Sequence, residues 1–286
     1  MTKQINDRII IHDIGEMNEY VSALRRNGNS IGLVPTMGAL HEGHLSLVRR
    51  AAAESDAVIV SIFVNPIQFD DPADLTAYPR TLDTDAEQAF GAGACVVFAP
   101  NAEQMYPDGF STFVDMTGIS EILCGASRKS HFRGVLTVVA KLFGIGLPDF
   151  AYFGEKDAQQ LILVQKMVYD LCLNVRIIGC PTVREEDGLA MSSRNSRLSG
   201  EERIAARSLY DALTEARNCF ISGEKNTEVL RDIVLDIVGS EPLARIEYAE
   251  IVDPRNLKTP EYAREGDLLM LAVHFGSTRL IDNMRL

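Results

Sequence analysis

Ser30-Ile31-Gly32-Leu33-Val34-Pro35-Thr36-Met37-Gly38-Ala39-Leu40-His41-Glu42-Gly43-His44 is the stretch on which the fold turns. Residues 30–34 form an apolar burst that breaks at Pro35, as a strand does when it runs into a loop. Beyond the loop, Leu45, Leu47, Val48 and Ala51 recur at intervals of three and four, which is helical spacing. The segment is therefore a β-to-α turn, the first of the chain. Residues 57–64 then form an apolar run rich in Val and Ile, which suits a strand covered on both faces.

The same alternation extends in both directions. A helix over 14–27 precedes the turn; after it come a helix over 83–90, a strand over 95–99, a helix over 136–145, a strand over 150–153, a helix over 157–171 and a strand over 175–179. Strands alternating with helices predict an α/β protein with a doubly wound parallel sheet. Beyond Pro181 the rhythm changes. Helical stretches over 200–222 and 227–239 precede β-rich segments at 246–252, 268–275 and 279–283, the order of a separate, smaller α+β domain. The expected domains are 1–181 and 182–286, the second a lid carrying the Met191-Ser192-Ser193-Arg194 loop.

With 286 residues, 46% hydrophobic and 24% charged, the chain can bury a large core. A formal net charge of −12 argues against a nucleic-acid track, which needs a broad basic surface. The sequence offers no membrane span, and its first residues lack the apolar region of a secretory signal, so the cytoplasm is the expected compartment. Five cysteines, at 95, 124, 172, 180 and 219, are scattered without a CxxC pair and read as reduced thiols.

Four loops follow predicted strands, and the carboxyl ends of parallel strands are where such sheets bind ligands. In the first, His41 and His44 share a helix face and can donate to phosphate oxygens beside free backbone N–H groups, while Gly38 and Gly43 admit close backbone approach. A capped surface turn or a metal pair are the competing readings. In the second, Lys156 can neutralise a triphosphate, Asp157 can hold a ribose hydroxyl or cap a helix, and Gln160 points from the first helical turn. In the third, Ser192, Ser193 and Arg194 can grip phosphate, or form a polar interdomain loop. In the fourth, Asn65 and Gln68 are neutral amides suited to substrate hydroxyls and a carboxyl oxygen, unless they only build a turn on Pro66.

MGALHEGH at 37–44, FVNPIQF at 63–69, YPRT at 78–81, SHFRGV at 130–135, FGEKDAQQL at 153–161 and DGLAMSSRN at 187–195 together closely resemble the pantothenate synthetase family. The resemblance continues more weakly to Leu286 and includes the closing TRLIDN at 278–283. It implies a Rossmann-like nucleotidyltransferase whose HxGH-type motif is His41-Glu42-Gly43-His44 and whose KMSKS-like loop is Met191-Ser192-Ser193-Arg194. The implied reaction is ATP-dependent joining of pantoate to β-alanine through an acyl adenylate, with Mg²⁺ on the triphosphate and a homodimer as the assembly. The implied ATP site is Met37, Gly38, Ala39, Leu40, His41, Glu42, Gly43, His44, Gly154, Glu155, Lys156, Asp157, Val183, Met191, Ser192, Ser193 and Arg194. His44 takes the family's proton-donor role. Gln68 and Gln160 match pantoate contacts, Gln68 also faces the β-alanine position, and Asp85 is a neighbour of the metal.

One stretch departs from the family pattern. Cys124 stands in place of an acidic residue and Lys129-Ser130 in place of Pro-Gly, so no role is carried over to the loop that contains them. Two other functions share these motifs: an adenylyltransferase acting on a phosphate monoester, which calls for extra basic groups near the acceptor, and a nucleotide-binding module without turnover.

Overall fold

The computed structural model describes residues 7–286, and the N-terminal leader before Asp7 lies outside the described residues. The chain divides into two compact units, Met1–Glu155 with Gln159–Pro181, and Lys156–Ala158 with Thr182–Leu286.

The first unit is built on six strands: β1 (Ile9–Ile11), β2 (Ile31–Thr36), β3 (Ala57–Ile62), β4 (Val96–Phe98), β5 (Phe150–Gly154) and β6 (Arg176–Cys180). All are parallel, in the order β1-β4-β3-β2-β5-β6. The edge strand β1 lies in what the sequence presented as a short leader; three isoleucines with no periodicity to extend them give little local signal. Helices Ile14–Arg26, Glu42–Glu54, Leu82–Ala92, His131–Gly146 and Ala158–Asp170 connect the strands. Val34, Val58, Val60 and Val97 of the sheet are buried against Val48 and Ala51 of the second helix and Ala86 and Ala89 of the third.

Strand order reverses at β2, with β3 on one side and β5 on the other, so the topological switch point falls between β2 and β5. The two sides are paired to different lengths. β2 pairs with β3 along its full length, to Thr36 opposite Ile62, but with β5 only at Gly32 opposite Phe150 and Leu33 opposite Ala151. Pro35 fits this asymmetry. The carbonyl of Ile31 accepts from Asp149 N at 2.9 Å on the β5 side, and backbone groups alternate sides along a strand. Ile31, Leu33 and Pro35 therefore face β5, and the N–H that proline lacks falls where no partner strand runs.

In the second unit, helices Ser208–Ile221 and Thr227–Gly239 cover an antiparallel sheet of β7 (Ala244–Val252), β8 (Leu268–Phe275) and β9 (Thr278–Arg285). Leu209, Leu213, Phe220, Leu230, Val234 and Val238 form one buried cluster with Leu269, Leu271, Val273 and Phe275. The helix expected over 200–222 is two helices, Gly200–Ala205 and Ser208–Ile221. At the junction Arg207 N bonds to Ile204 O and Leu209 N to Ala206 O, three-residue spacings that tighten the chain into a turn.

Candidate active site

The loop leaving β2 turns through two consecutive positive-φ residues, Gly38 at 85° and Ala39 at 50°. Backbone of this kind exposes N–H groups that need acceptors. Asp85, 2% exposed on helix Leu82–Ala92, supplies them: Leu40 N donates to Oδ1 at 2.7 Å and Ala39 N to Oδ2 at 2.9 Å. Thr81 Oγ1 also donates to Oδ2, at 3.0 Å. Both of its oxygens thus accept from the loop and help to set its shape.

His41 caps helix Glu42–Glu54, its Nδ1 accepting from Gly43 N at 3.2 Å. His44 returns the bond, with Nδ1 accepting from His41 N at 3.4 Å. The rings lie 4.1 Å apart between centroids. Since both Nδ1 atoms accept, each neutral ring carries its proton on Nε2, the atom pointing away from the cap. The sequence alternatives of capping and phosphate binding are thus compatible: one nitrogen serves each. Glu42, by contrast, turns its carboxylate to Arg49 at 2.5 and 3.0 Å along an exposed face. The hydrogen bond from Arg49 holds the Glu42 carboxyl below its ordinary range.

After β3, a short 3-10 turn, Pro66–Gln68, carries the amides. Asn65 is 1% exposed, and its Nδ2 donates to Gln68 Oε1 at 2.9 Å and to Gly134 O at 3.1 Å. Both amide hydrogens are engaged inside the protein, one by Gln68 and one by Gly134. Gln68 points its Nε2 at Met37 Sδ, 2.9 Å away, a weak acceptor that a better one can replace.

The sequence assigned no task to the loop before helix His131–Gly146, but the structure gives it one. His131 Nδ1 bonds to Gln68 O at 2.9 Å, and Arg128 Nη1 lies 3.0 Å from His131 Nε2. Since Gln68 O can only accept, His131 carries a proton on Nδ1. A Cβ at Gly134 would stand 2.4 Å from Ile67 O, so only glycine lets the helix rest on this turn. Ser130, one of the departures from the family pattern, donates its hydroxyl and its N–H to Asp70 Oδ1. Buried Gln159 holds the segment carrying Cys124, accepting from Cys124 N at 3.1 Å and donating to Ile119 O and Ile122 O at 3.0 and 2.8 Å. Gly154 ends β5, and half-buried Gln160 lies in the first turn of helix Ala158–Asp170.

The second unit holds Lys156, exposed Asp157, Val183 and the residues from Met191 to Arg194. Met191 N donates to Val183 O at 3.0 Å and Glu185 N to Leu189 O at 2.8 Å, closing a small hairpin. Its tip is clamped by Arg203, which reaches Asp187 at 2.7 and 3.1 Å and Glu185 at 2.5 Å. Ser192 Oγ accepts from Arg194 N at 3.2 Å, and Asn195 Nδ2 ties the following turn to Glu185 and Ala190 O. The base of the hairpin is fixed from β9. Asp282, 2% exposed, takes Arg184 in a fork at 2.6 and 3.0 Å, and Asn283 donates to Lys156 O at 2.8 Å. The backbone of Lys156 and the hairpin thereby share one support, the Asp282-Asn283 pair of the closing TRLIDN segment.

A family model described as Pantoate-beta-alanine ligase matches residues 9–285. A protein of Carboxydothermus hydrogenoformans named pantothenate synthetase is 52% identical over 272 residues, 95% of this chain and 96% of that one. One of the same name from Clostridium acetobutylicum is 51% identical over 274 residues, 96% and 98% of the two chains. Among solved structures, pantothenate synthetase from Thermus thermophilus superposes with a TM-score of 0.91 at 43% identity, covering 96% of this chain and 98% of its own. Pantoate-beta-alanine ligase from Francisella tularensis, complexed with beta-gamma ATP and beta-alanine, gives 0.79 at 36% identity, with 97% of each chain covered.

Asp85→Asn retains only one acceptor oxygen and turns an NH₂ toward a backbone N–H. It is expected to destabilise the protein by about 1–3 kcal/mol, the cost of a buried donor left unsatisfied, and to raise KM for the nucleotide; an unchanged urea midpoint would refute the loop-shaping role. Asp187 responds to pH. Its hydrogen bond from Arg203 holds the carboxyl below the ordinary range, so its stabilising effect is complete above the unfolded-state value of about 4 and is lost as pH falls through the lowered folded value. The melting-temperature gap between wild type and Asp187→Asn should accordingly be present at pH 7 and close in acid. A gap that persists unchanged to the lowest pH at which the protein stays folded contradicts this.

Proposed function

The chain belongs to the pantoate–β-alanine ligase family, and on that premise we propose which of its side chains carry the reaction. The protein condenses (R)-pantoate with β-alanine at the expense of ATP, giving pantothenate, AMP and pyrophosphate through a pantoyl adenylate. The physical problem is that a carboxylate must attack an already anionic α-phosphate. Charge builds on the phosphoryl oxygens as the new C–O–P bond forms and the bond to the bridging oxygen of pyrophosphate breaks. Donors aimed at those oxygens lower the barrier.

The observation that carries the assignment is the reciprocal capping of His41 and His44. Each ring spends Nδ1 on a backbone N–H and keeps its Nε2 proton at the carboxyl end of β2, beside the switch point of the sheet. In this reading the Nε2–H groups of His41 and His44 donate to phosphate oxygens, with His44 as proton donor. The backbone from Met37 through Leu40, with Gly43, lies along the nucleotide, and Glu42 contributes backbone only. Gly154, Glu155, Asp157, Val183 and Met191 line the nucleotide, while Lys156, Ser192, Ser193 and Arg194 bind phosphate.

Gln68 and Gln160 hold pantoate, Gln68 through its outward NH₂. In the second half-reaction the neutral amine of β-alanine attacks the acyl carbonyl and AMP departs, a step that needs positioning and exclusion of water. Mg²⁺ belongs to the same reading. In it the ion is carried by the triphosphate, with Asp85 as a neighbouring carboxylate. There it would neutralise charge on the departing pyrophosphate. A cytoplasmic homodimer completes the proposal on family grounds; among the described residues no helix is long and apolar enough to cross a membrane.

Pantoate-dependent release of pyrophosphate from ATP, followed by β-alanine-dependent formation of pantothenate, tests the assignment of the two halves. Lys156→Ala and His44→Ala are each expected to slow single-turnover formation of the adenylate by roughly a hundredfold, as removal of one preorganised donor does. The reaction of preformed adenylate with β-alanine should be affected less. Loss confined to the amide-forming step would remove both residues from the phosphate site.

A further inference from the structure

Tyr106 lies in none of the motifs quoted above, yet it ends a chain of hydrogen bonds that begins at the amide assigned to pantoate. Its hydroxyl lies 2.7 Å from Asn65 Oδ1, and its ring packs against Phe63 and Phe110 at 6.2 and 5.1 Å between centroids.

The direction of every bond in the chain is decided by one backbone carbonyl. Gly134 O can only accept, and it sits 3.1 Å from one end of the Asn65 amide. That end is the NH₂. The carbonyl end consequently faces Tyr106, whose hydroxyl must donate. The second Asn65 hydrogen goes to Gln68 at 2.9 Å, so Gln68 turns its Oε1 inward and its NH₂ outward, toward Met37 Sδ.

We propose that Tyr106 is a positioning residue for the acid substrate: by donating to Asn65 Oδ1 it completes the bonds that hold the Asn65 amide, and through it steadies Gln68 with a donor, not an acceptor, toward the oxygens of pantoate. The inference rests on the assignment of Gln68 as a pantoate contact. Burial pushes the Tyr106 phenol pKa up, so the hydroxyl keeps the proton it must donate. Without that hydroxyl, Asn65 holds a carbonyl oxygen at 1% exposure with no donor, and its amide is oriented by the Gly134 carbonyl alone and held less firmly. A less firmly held Asn65 leaves the Gln68 amide, and the NH₂ it turns outward, less well placed for a carboxylate.

The test is steady-state kinetics with thermal melting on the full chain: wild type, Tyr106→Phe, Gln68→Ala and the double variant. Tyr106→Phe retains the ring and its packing. It should raise KM for pantoate about fivefold, the worth of one hydrogen bond, and lower the melting temperature slightly for the acceptor left bare, with KM for ATP and kcat unchanged. Gln68→Ala should raise the same KM further, and adding Tyr106→Phe to it should add nothing, because Tyr106 acts through Gln68. An unaltered pantoate KM in Tyr106→Phe, alongside a raised one in Gln68→Ala, overturns the inference and leaves the Gln68 assignment standing. An unaltered KM in Gln68→Ala removes that assignment and the relay together. An effect of Tyr106→Phe that persists in the Gln68→Ala background, or that raises KM for ATP equally with a lowered melting temperature, assigns Tyr106 a structural role and overturns the proposal.

Discussion

β2 and β5 begin as hydrogen-bonded neighbours and then part, and the arrangement of the first unit depends on that divergence. Asp149 fixes the start: its N–H donates to Ile31 O, its carboxylate accepts from Ile31 N at 2.7 Å, and Arg25 holds the same carboxylate at 2.8 and 3.0 Å. Pairing ends after Leu33 and Ala151, while on the other side β2 remains paired to Thr36. The sheet thus opens on one side of β2 without losing its support on the other. A strand interior would not ordinarily tolerate proline, but Pro35 sits where its missing N–H has no partner to lose.

Opening the sheet leaves the chain to turn sharply from β2 into its helix, and the turn has an energetic cost. Ala39 at a φ of 50° is strained by roughly 1–2 kcal/mol relative to right-handed backbone. Asp85 offsets this by accepting both backbone N–H groups at the bend, and the two histidines close the helix start without help from solvent. The loop is therefore set before any ligand arrives, which lowers the ordering cost of binding. In the second unit the buried Asp282-Asn283 pair plays the comparable part for the hairpin and the backbone of Lys156.

Much of this was legible in the sequence. Continuous Val and Ile runs separated by helical spacing gave the parallel sheet, and several-residue motifs in a fixed order gave the family. What the sequence left open has a physical cause. Asp85 and Asn65 are polar residues near a site, and sequence cannot distinguish a side chain that faces a ligand from one whose every bond is made behind the loop. Tyr106, and the bonds of His131 within the SHFRGV motif, were invisible for the converse reason: their partners lie 41 and 63 residues away, and no local pattern marks a hydrogen bond made over that distance in the chain.

The choice of a neutral amide for the acid substrate has its own logic on the proposed assignment. In the adenylation step the carboxylate of pantoate gives up negative charge while the phosphoryl oxygens and pyrophosphate retain or gain it. A lysine or arginine paired with the nucleophile would stabilise the ground state more than the transition state, raising the barrier it is meant to lower. An NH₂ group orients the carboxylate with a weaker hold on its charge. Positive charge and hydrogen-bond donors belong on the other reactant, where Lys156, Arg194 and the Nε2–H groups of the two histidines are assigned. The same reasoning explains why the orientation of Gln68 must be enforced: its two ends are nearly identical in shape but opposite in polarity, and packing alone would not distinguish them. A backbone carbonyl, which cannot donate, together with a phenol that keeps its proton, makes that distinction through Asn65.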